Sequence, residues 1–267
     1  MFARLQVSAL TSGSQCAGRK RYSFATPISR MDGFHVRVKT SQEFALRRDR
    51  VQELFQGCSE EHVSSLMARA HLLLRPAGTF FFREGDQLDT FFILESGRVS
   101  AHQLTTDGQQ ALLKYIRPGE PFGLASILPF SRNLASAQAA EDSAALAWHR
   151  DVVKPLIKSS PQLAFNLTGF LARSYEEVLE RYVRQATRPV RARIAWALVK
   201  LAKQIGKQEG NQVVIAEGFK QKDLADLAGT TIYSVSRTLS EWQQQKIVEK
   251  RRGRVVVPDI YRLNELA

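Results

Sequence analysis

The stretch KQKDLADLAGTTIYSVSRTLSEWQQQKIV, residues 220–248, constrains the fold of this 267-residue chain more than any other. Lys222 to Ala228 read as a short amphipathic helix that buries Leu224 and Leu227; Gly229 supplies a turn, and Thr230 or Thr231 caps a second helix burying Val235 and Leu239. Two short helices at that spacing form a helix-turn-helix. The outward residues at the start of the second helix, Thr231, Ile232, Tyr233, Ser234 and Arg237, with Thr230 just before them, are then offered to the major groove of double-stranded DNA. Lys220 and Lys222 fall where phosphates pass. KIVEKRRGRVVV continues as two strands around Arg251, Arg252, Gly253 and Arg254, a basic wing. The bland alternative is a tri-helical packing module, against which the wing and the local charge both argue.

The chain carries a net charge of +12, unevenly spread. Residues 1–50 hold ten Lys/Arg against three acids, residues 51–187 thirteen against fifteen, and residues 188–267 fifteen against eight. A near-neutral middle followed by a basic end suits a sensing or scaffold domain joined to one that meets a polyanion. Hydrophobic content of 44% with 24% charged residues belongs to a soluble globular protein, and no apolar run approaches the ~20 residues needed to span a bilayer. A cytoplasmic protein that does not enter membranes is expected. Cys16 and Cys58 lie far apart without a C-x-x-C spacing, so neither a disulfide framework, nor a metal site, nor an iron-sulfur cluster is signalled. No H-E-x-x-H, Walker lysine loop, G-x-S-x-G elbow or dinucleotide fingerprint is present, so the chain is expected not to be an enzyme.

Four segments follow from the texture. Residues 1–47 are rich in Ser, Gly and Arg, show no sustained period, and read as a disordered basic N-terminal extension. Three readings stay open for it: an organellar transit peptide, an extension from an upstream start codon with Met31 as the true start, and a basic arm that touches DNA. Residues 48–160 begin with two short helices carrying Val51, Leu54, Phe55, Val63, Leu66 and Met67, separated near Gly57. From Leu72 to His149 short β-prone runs alternate with turn signals, with Gly85, Gly97, Gly108 and Gly119 about eleven or twelve positions apart, as a sheet turning on positive φ angles requires.

Residues 161–187 form one long helix with Leu163, Leu167, Phe170, Leu171, Val178 and Tyr182 along one side. It is either a dimer seam or a helix packed on its own β domain, and both can hold on different faces. Residues 188–267 open a second domain, with Thr187 a candidate cap, Pro189 suited to the first turn, and Ile194, Trp196, Ala197, Leu198, Leu201 and Ile205 as core. The expected fold class is α+β: a double-stranded, jelly-roll-like β-roll, a long dimerisation helix and a C-terminal winged helix-turn-helix domain.

Order and spacing together resemble the Crp/Fnr family of bacterial transcription regulators from about residue 50 to 260. Glycines 85, 97, 108, 119 and 123 fall at the family's roll glycines, PQLAFNLTGFLARSYEEVLERYV on its dimer helix, and LADLAGTTIYSVSRTL on its DNA-reading unit. The resemblance implies a homodimer that binds palindromic double-stranded DNA and works with RNA polymerase. It also implies that Arg237 contacts a guanine or nearby phosphate, and that Tyr233 stands where the family usually has a Glu, so an operator that departs from the family's common half-site is expected.

It further makes GEPFGLASILPFSRNLASAQ, residues 119–138, the phosphate-binding cassette of a cyclic-nucleotide-type domain. Nucleotide-binding members place a Glu after the cassette glycine, here Gly123, and an Arg with Ser, Thr or Ala later on. The matching positions are Leu124, Leu134 and Ala135, and the helix positions that meet adenine are Val178 and Leu179. The residues at all five positions are apolar. A cyclic phosphate desolvated without a guanidinium or hydroxyl is unfavourable by several kcal/mol, so cyclic AMP is not the expected effector. A register slip that brings Arg132 and Asn133 to the phosphate position is the alternative. An apolar effector, or none, is expected instead. Haem, as in gas-sensing (NO or CO) branches, would suit such a pocket with His62, His71, His102 or His149 as axial ligand, although each is more often an ordinary surface or core histidine. A cyclic-nucleotide regulatory protein fits less well, since it would need the missing Arg and would not need a basic winged end.

Overall fold

The computed structural model describes residues 34–37, 52–106, 108–128, 132–215, 220–251 and 254–267. Two short helices lead into the roll, α1 (Gln52–Phe55) and α2 (Glu60–Met67), the latter capped by Ser59, whose hydroxyl accepts from His62 N at 3.3 Å. A roll of two antiparallel sheets follows. Strands β2 (His71–Arg75), β4 (Thr90–Ser96), β7 (Pro121–Phe122) and β9 (Ser143–His149) make one sheet in the order β2-β9-β4-β7. Strands β3 (Phe80–Phe82), β5 (Val99–Leu104), β6 (Gln110–Ile116) and β8 (Ser136–Ala139) make the other, in the order β3-β8-β5-β6.

The strand β4 explains how one roll supports two cores. Its continuous apolar run TFFIL is buried on both faces. Phe92 and Leu94 join Leu73, Phe81, Val99, Phe122 and Ala145 between the sheets, with the Phe92 and Phe122 rings stacked at 4.9 Å. The intervening residues Phe91 and Ile93 point the other way, onto Leu54, Leu66, Trp148, Leu163 and Leu167, so period-two alternation divides one strand between a roll interior and a helical layer. Trp148 is sealed there by its Nε1–H donating to Leu66 O at 2.7 Å.

Phe34–Arg37 form a strand, β1, inside the stretch expected to be without structure, and extend the first sheet by pairing antiparallel with β2. The four residues alternate apolar and polar, too short a run to stand out in a basic segment. The remainder of the expected extension, residues 1–33 and 38–47, lies outside the described residues.

After the roll come α3 (Arg150–Ser159) and α4 (Pro161–Thr187), the second starting at a Ser160 cap with Pro161 in its first turn. The helix α3 was hidden by Pro155 in its interior, a residue that normally argues against a helix. The 27-residue α4 runs to Thr187, whose hydroxyl bonds Val183 O at 2.8 Å. Thr187 therefore closes α4 and does not cap the next helix. That role falls to Pro189 before α5 (Val190–Ile205).

The C-terminal domain gathers α5, α6 (Gln221–Ala228), α7 (Ile232–Gln244) and α8 (Ile260–Glu265) around Ile194, Leu198, Leu224, Leu239, Trp242 and Leu263. Strands β10 (Gly206–Glu209), β11 (Gln212–Ile215), β12 (Glu249–Arg251) and β13 (Arg254–Val257) form a sheet in the order β10-β11-β13-β12, so the wing is the edge of a four-stranded sheet. Two residues of the roll, Leu112 and Tyr115 on β6, belong to this domain's hydrophobic cluster.

Candidate nucleic-acid interface

Helix α6 begins where Lys220 N donates to Asp223 Oδ2 at 2.9 Å and ends at Gly229, whose φ is +59°. The left-handed dihedral is what favours glycine there, since the nearest neighbour of a β-carbon would be the movable end of the Gln185 side chain. Thr230 N bonds back to Ala225 O at 2.9 Å, and the Thr231 hydroxyl accepts from Ser234 N at 3.2 Å to start α7. Of the two threonines offered by the sequence, Thr231 is the cap.

The helix α7 buries Val235, Thr238, Leu239 and Trp242, which leaves Thr231, Ile232, Tyr233 and Arg237 exposed on the opposite side. Tyr233 is 77% exposed and Ile232 50%, unusual for such residues on a well-packed helix unless the face has a partner. Arg237 extends from the same face with Nε on Glu241 Oε1 at 3.1 Å, while the other oxygen of that carboxylate accepts from Arg191 Nη1 at 3.1 Å. One acid thus holds two guanidiniums at the edge of the helix. Arg254 starts β13 on the exposed side of the wing, and Lys250 Nζ reaches Ser240 Oγ at 3.1 Å, fastening the wing to α7. Arg252 lies outside the described residues.

Lys222 occupies a different setting from the one its position suggests. Its Nζ donates to Gln110 O at 2.6 Å and to Asp226 Oδ2 at 3.0 Å, so it faces the β-roll. The same side of α6 carries two more bonds to the roll: Leu112 N donates to Asp226 Oδ2 at 3.0 Å, and the Tyr115 hydroxyl donates to Asp223 Oδ2 at 2.8 Å. Burial, followed by the Asp223 carboxylate, pushes the Tyr115 phenol above its ordinary range and keeps it a donor. This latch joins the reading unit to β6. Sequence reasoning missed it, although the i,i+4 spacing of Lys222 and Asp226 signals half of it.

The cassette keeps its backbone frame. Gly123 sits at φ +71° ahead of a 3-10 turn over Leu124–Ser126, and a β-carbon there would press within 3.0 Å of Leu88, Phe92 and Thr90. The five apolar positions are not gathered into one enclosed slot. Leu124 packs toward the helical layer, Leu134 is 80% exposed, Ala135 is half-buried, and Val178 and Leu179 are exposed on α4. Ser126 Oγ and Asn133 Nδ2 are buried within the cassette without a hydrogen-bond partner, so its interior is less apolar than Leu124, Leu134 and Ala135 suggest.

The four histidines are engaged elsewhere. His62 lies 2.6 Å from Ser59 Oγ, His102 lies 3.2 Å from Gln138 Oε1 within its sheet, His149 caps α3 between Asp89 and Asp151, and His71 is partnered on β2. Burial lowers the pKa of His102 against the opposing effect of the Gln138 bond. None of the four lines either cavity beside α4. No group of three or more metal-ligating side chains occurs among the described residues, and no described helix is long and apolar enough to cross a membrane.

A winged helix-turn-helix carried by a β-roll and a long helix defines a regulator that works on duplex DNA. Comparison with known proteins agrees. The cyclic nucleotide-binding domain model matches residues 74–160, and the Crp-like helix-turn-helix domain model matches residues 192–266. The chain is 33% identical to the cyclic AMP receptor protein of Thermus thermophilus over 214 residues, covering 80% of this chain and 96% of that protein. It is 26% identical over 210 residues to a CRP-like cAMP-activated global transcriptional regulator of Mycobacterium tuberculosis, covering 79% and 94%. The structure of FixK2 from Bradyrhizobium japonicum superposes with a TM-score of 0.65 at 19% identity, covering 74% of this chain and 96% of that one. The chain belongs to the Crp/Fnr family of transcription regulators.

Proposed function

We propose that the chain acts as a homodimer that reads a palindromic operator, under the control of a signal other than cyclic AMP. The observation that carries the dimer is the outer face of α4. Leu171, Tyr175, Val178 and Tyr182 follow one another at steps of four, three and four residues and are all exposed, Tyr175 and Tyr182 each to 68%. That is heptad spacing, and in a lone chain it would leave a stripe of large apolar side chains in water. Leu163 and Leu167, nearer the start of the helix, are spent on the helical layer of the roll. A second copy along the outer stripe would set two α7 helices about 34 Å apart, one turn of B-DNA.

Within each half-site, Arg237 supplies the guanidinium for a guanine edge or phosphate, and Thr231, Ile232, Tyr233 and Ser234 form the rest of the reading surface. RNA polymerase is the partner such a regulator would address once bound.

Cyclic AMP is the effector named for two of the relatives, and its transfer to this chain is opposed by Leu124, Leu134 and Ala135. None of them can bond a ribose hydroxyl or a phosphate through its side chain. Isothermal titration of the full chain with cyclic AMP is expected to show no saturable binding up to millimolar nucleotide. A micromolar dissociation constant would overturn this part of the proposal.

A further inference from the structure

A cavity of about 190 Å³ lies where β6, α4, α5 and α6 meet. Of the five apolar effector positions it contains Val178 of α4, and it contains none from the cassette itself. Its apolar walls come from Leu113 of β6, Val178 of α4, Trp196 of α5 and Leu227 of α6, while Ser174, Gln204 and Glu177, the last paired with Lys200, line it as well. Arg181 also lines it and is half-buried. Its neighbours in the cavity wall, Lys114 and Lys200, are each matched: Lys114 to Glu120 at 3.7 Å, and Lys200 to Glu177 and Glu180 at 3.5 and 3.6 Å.

Arg181 is less well matched. Among the described residues its guanidinium makes one hydrogen bond, Nη1 to Leu113 O at 3.3 Å, and has no carboxylate within ion-pair distance. Burial lowers its pKa, and only the more distant Glu177 offsets this. A guanidinium withdrawn from water toward a single neutral acceptor retains several unused donors in a fork that matches a carboxylate. Apolar walls around such a group select a ligand that is anionic at one end only.

We propose that this cavity binds a small organic acid, its carboxylate taken by Arg181 and its apolar body set against Leu113, Val178 and Trp196. The inference rests on the reading that control does not pass through cyclic AMP, and it gives that control a chemical class and a place. The occupant would touch roll, long helix and reading domain at once. It would also sit beside the bonds that Asp223 and Asp226 make to β6, so its arrival bears on how firmly α6 is docked.

The test uses the full chain and two probe acids, benzoate and hexanoate, with benzamide as the uncharged counterpart of benzoate, followed by calorimetry and thermal shift. At least one acid is expected to bind saturably, with benzamide weaker by about tenfold or more. Arg181→Gln is expected to weaken the acid by a similar factor. Ser174→Phe, which fills the cavity from α4 and leaves Arg181 in place, gives the same loss should the first variant fail to fold. Arg132→Gln in the cassette leaves binding unchanged. The proposal is overturned if neither acid binds, if binding survives both cavity variants, or if cyclic AMP displaces the acid. A parallel titration with cyclic AMP alone separates the two readings: nucleotide binding that leaves acid binding intact sinks only the broader one, and silence from both ligands sinks only this site.

Discussion

Arg237 is the side chain on which sequence discrimination is expected to turn. It is 71% exposed and held in place by Glu241, an i,i+4 pair that orients the guanidinium at little energetic gain in water. Replacing it with alanine should weaken binding to the preferred duplex by about 1–3 kcal/mol and narrow the gap between preferred and scrambled sequences. Gel-shift titrations at one fixed salt concentration measure both, and an unchanged affinity would contradict its placement. His102 gives a residue-level prediction of another kind. Burial lowers its folded pKa, so the neutral ring is favoured in the folded chain, and the stability it contributes is present above its unfolded value near 6.5 and lost as pH falls below that. The melting temperature of the native chain should therefore drop more between pH 7.5 and pH 5 than that of His102→Gln, measured side by side. Equal drops would remove His102 from the acid limb.

Residues such as Arg237, Thr231 and Tyr233 were legible because a helix-turn-helix has few solutions: once Leu224, Leu227, Val235 and Leu239 are buried, the opposite face is fixed. Lys222 was legible as a cation on α6 but not as a latch, because its acceptor is the main-chain oxygen of Gln110, more than a hundred residues away.

At the scale of elements, α4 does two jobs along its length. Its first turns complete the helical layer of the roll, and its outer stripe is available to a second copy. The apolar period was readable in the sequence. Its division was not, since Leu163 and Val178 look alike until the roll claims one of them. Tyr175→Asp places a charge in the stripe at a residue outside both the roll's clusters and the cavity wall, and sedimentation of this variant should report the 30.1 kDa of one chain where the native protein reports twice that. A dimer that survives the substitution would put the seam elsewhere. The latch is a second element-scale joint. Asp226→Ala removes the acceptor of Leu112 N and the partner of Lys222, which should lower the stability of the docked arrangement by about 1–3 kcal/mol. Limited proteolysis between α4 and α5 is the readout, with faster cleavage expected in the variant and an equal rate counting against the latch.

The whole molecule is a chain of three cores. One lies between the sheets of the roll, one beneath its helices, and the third in the reading domain with Leu112 and Tyr115 of β6 drawn into it. That third core matters most for function, because it makes the roll part of the surface on which α6 rests, and through α6 and the Gly229 turn it bears on α7. Fold class, segment order and reading helix could be taken from hydrophobic period and turn residues. The contact between domains could not, since Tyr115 and Asp223 lie 108 positions apart and neither type predicts the other. That Leu134 stands in solvent while Ser126 and Asn133 are buried in the cassette could not be read from the sequence either, since it depends on how the loop packs on the roll.

On the proposed reading, this fold delivers its output as a two-fold reader of DNA without needing cyclic AMP. Selection of bound duplexes from a random pool by the purified full chain, with and without cyclic AMP, tests it most directly. An inverted repeat with half-site centres about 10 base pairs apart, enriched equally in both conditions, is the expected result. Enrichment of a single unrepeated site, or enrichment only when cyclic AMP is present, would contradict it.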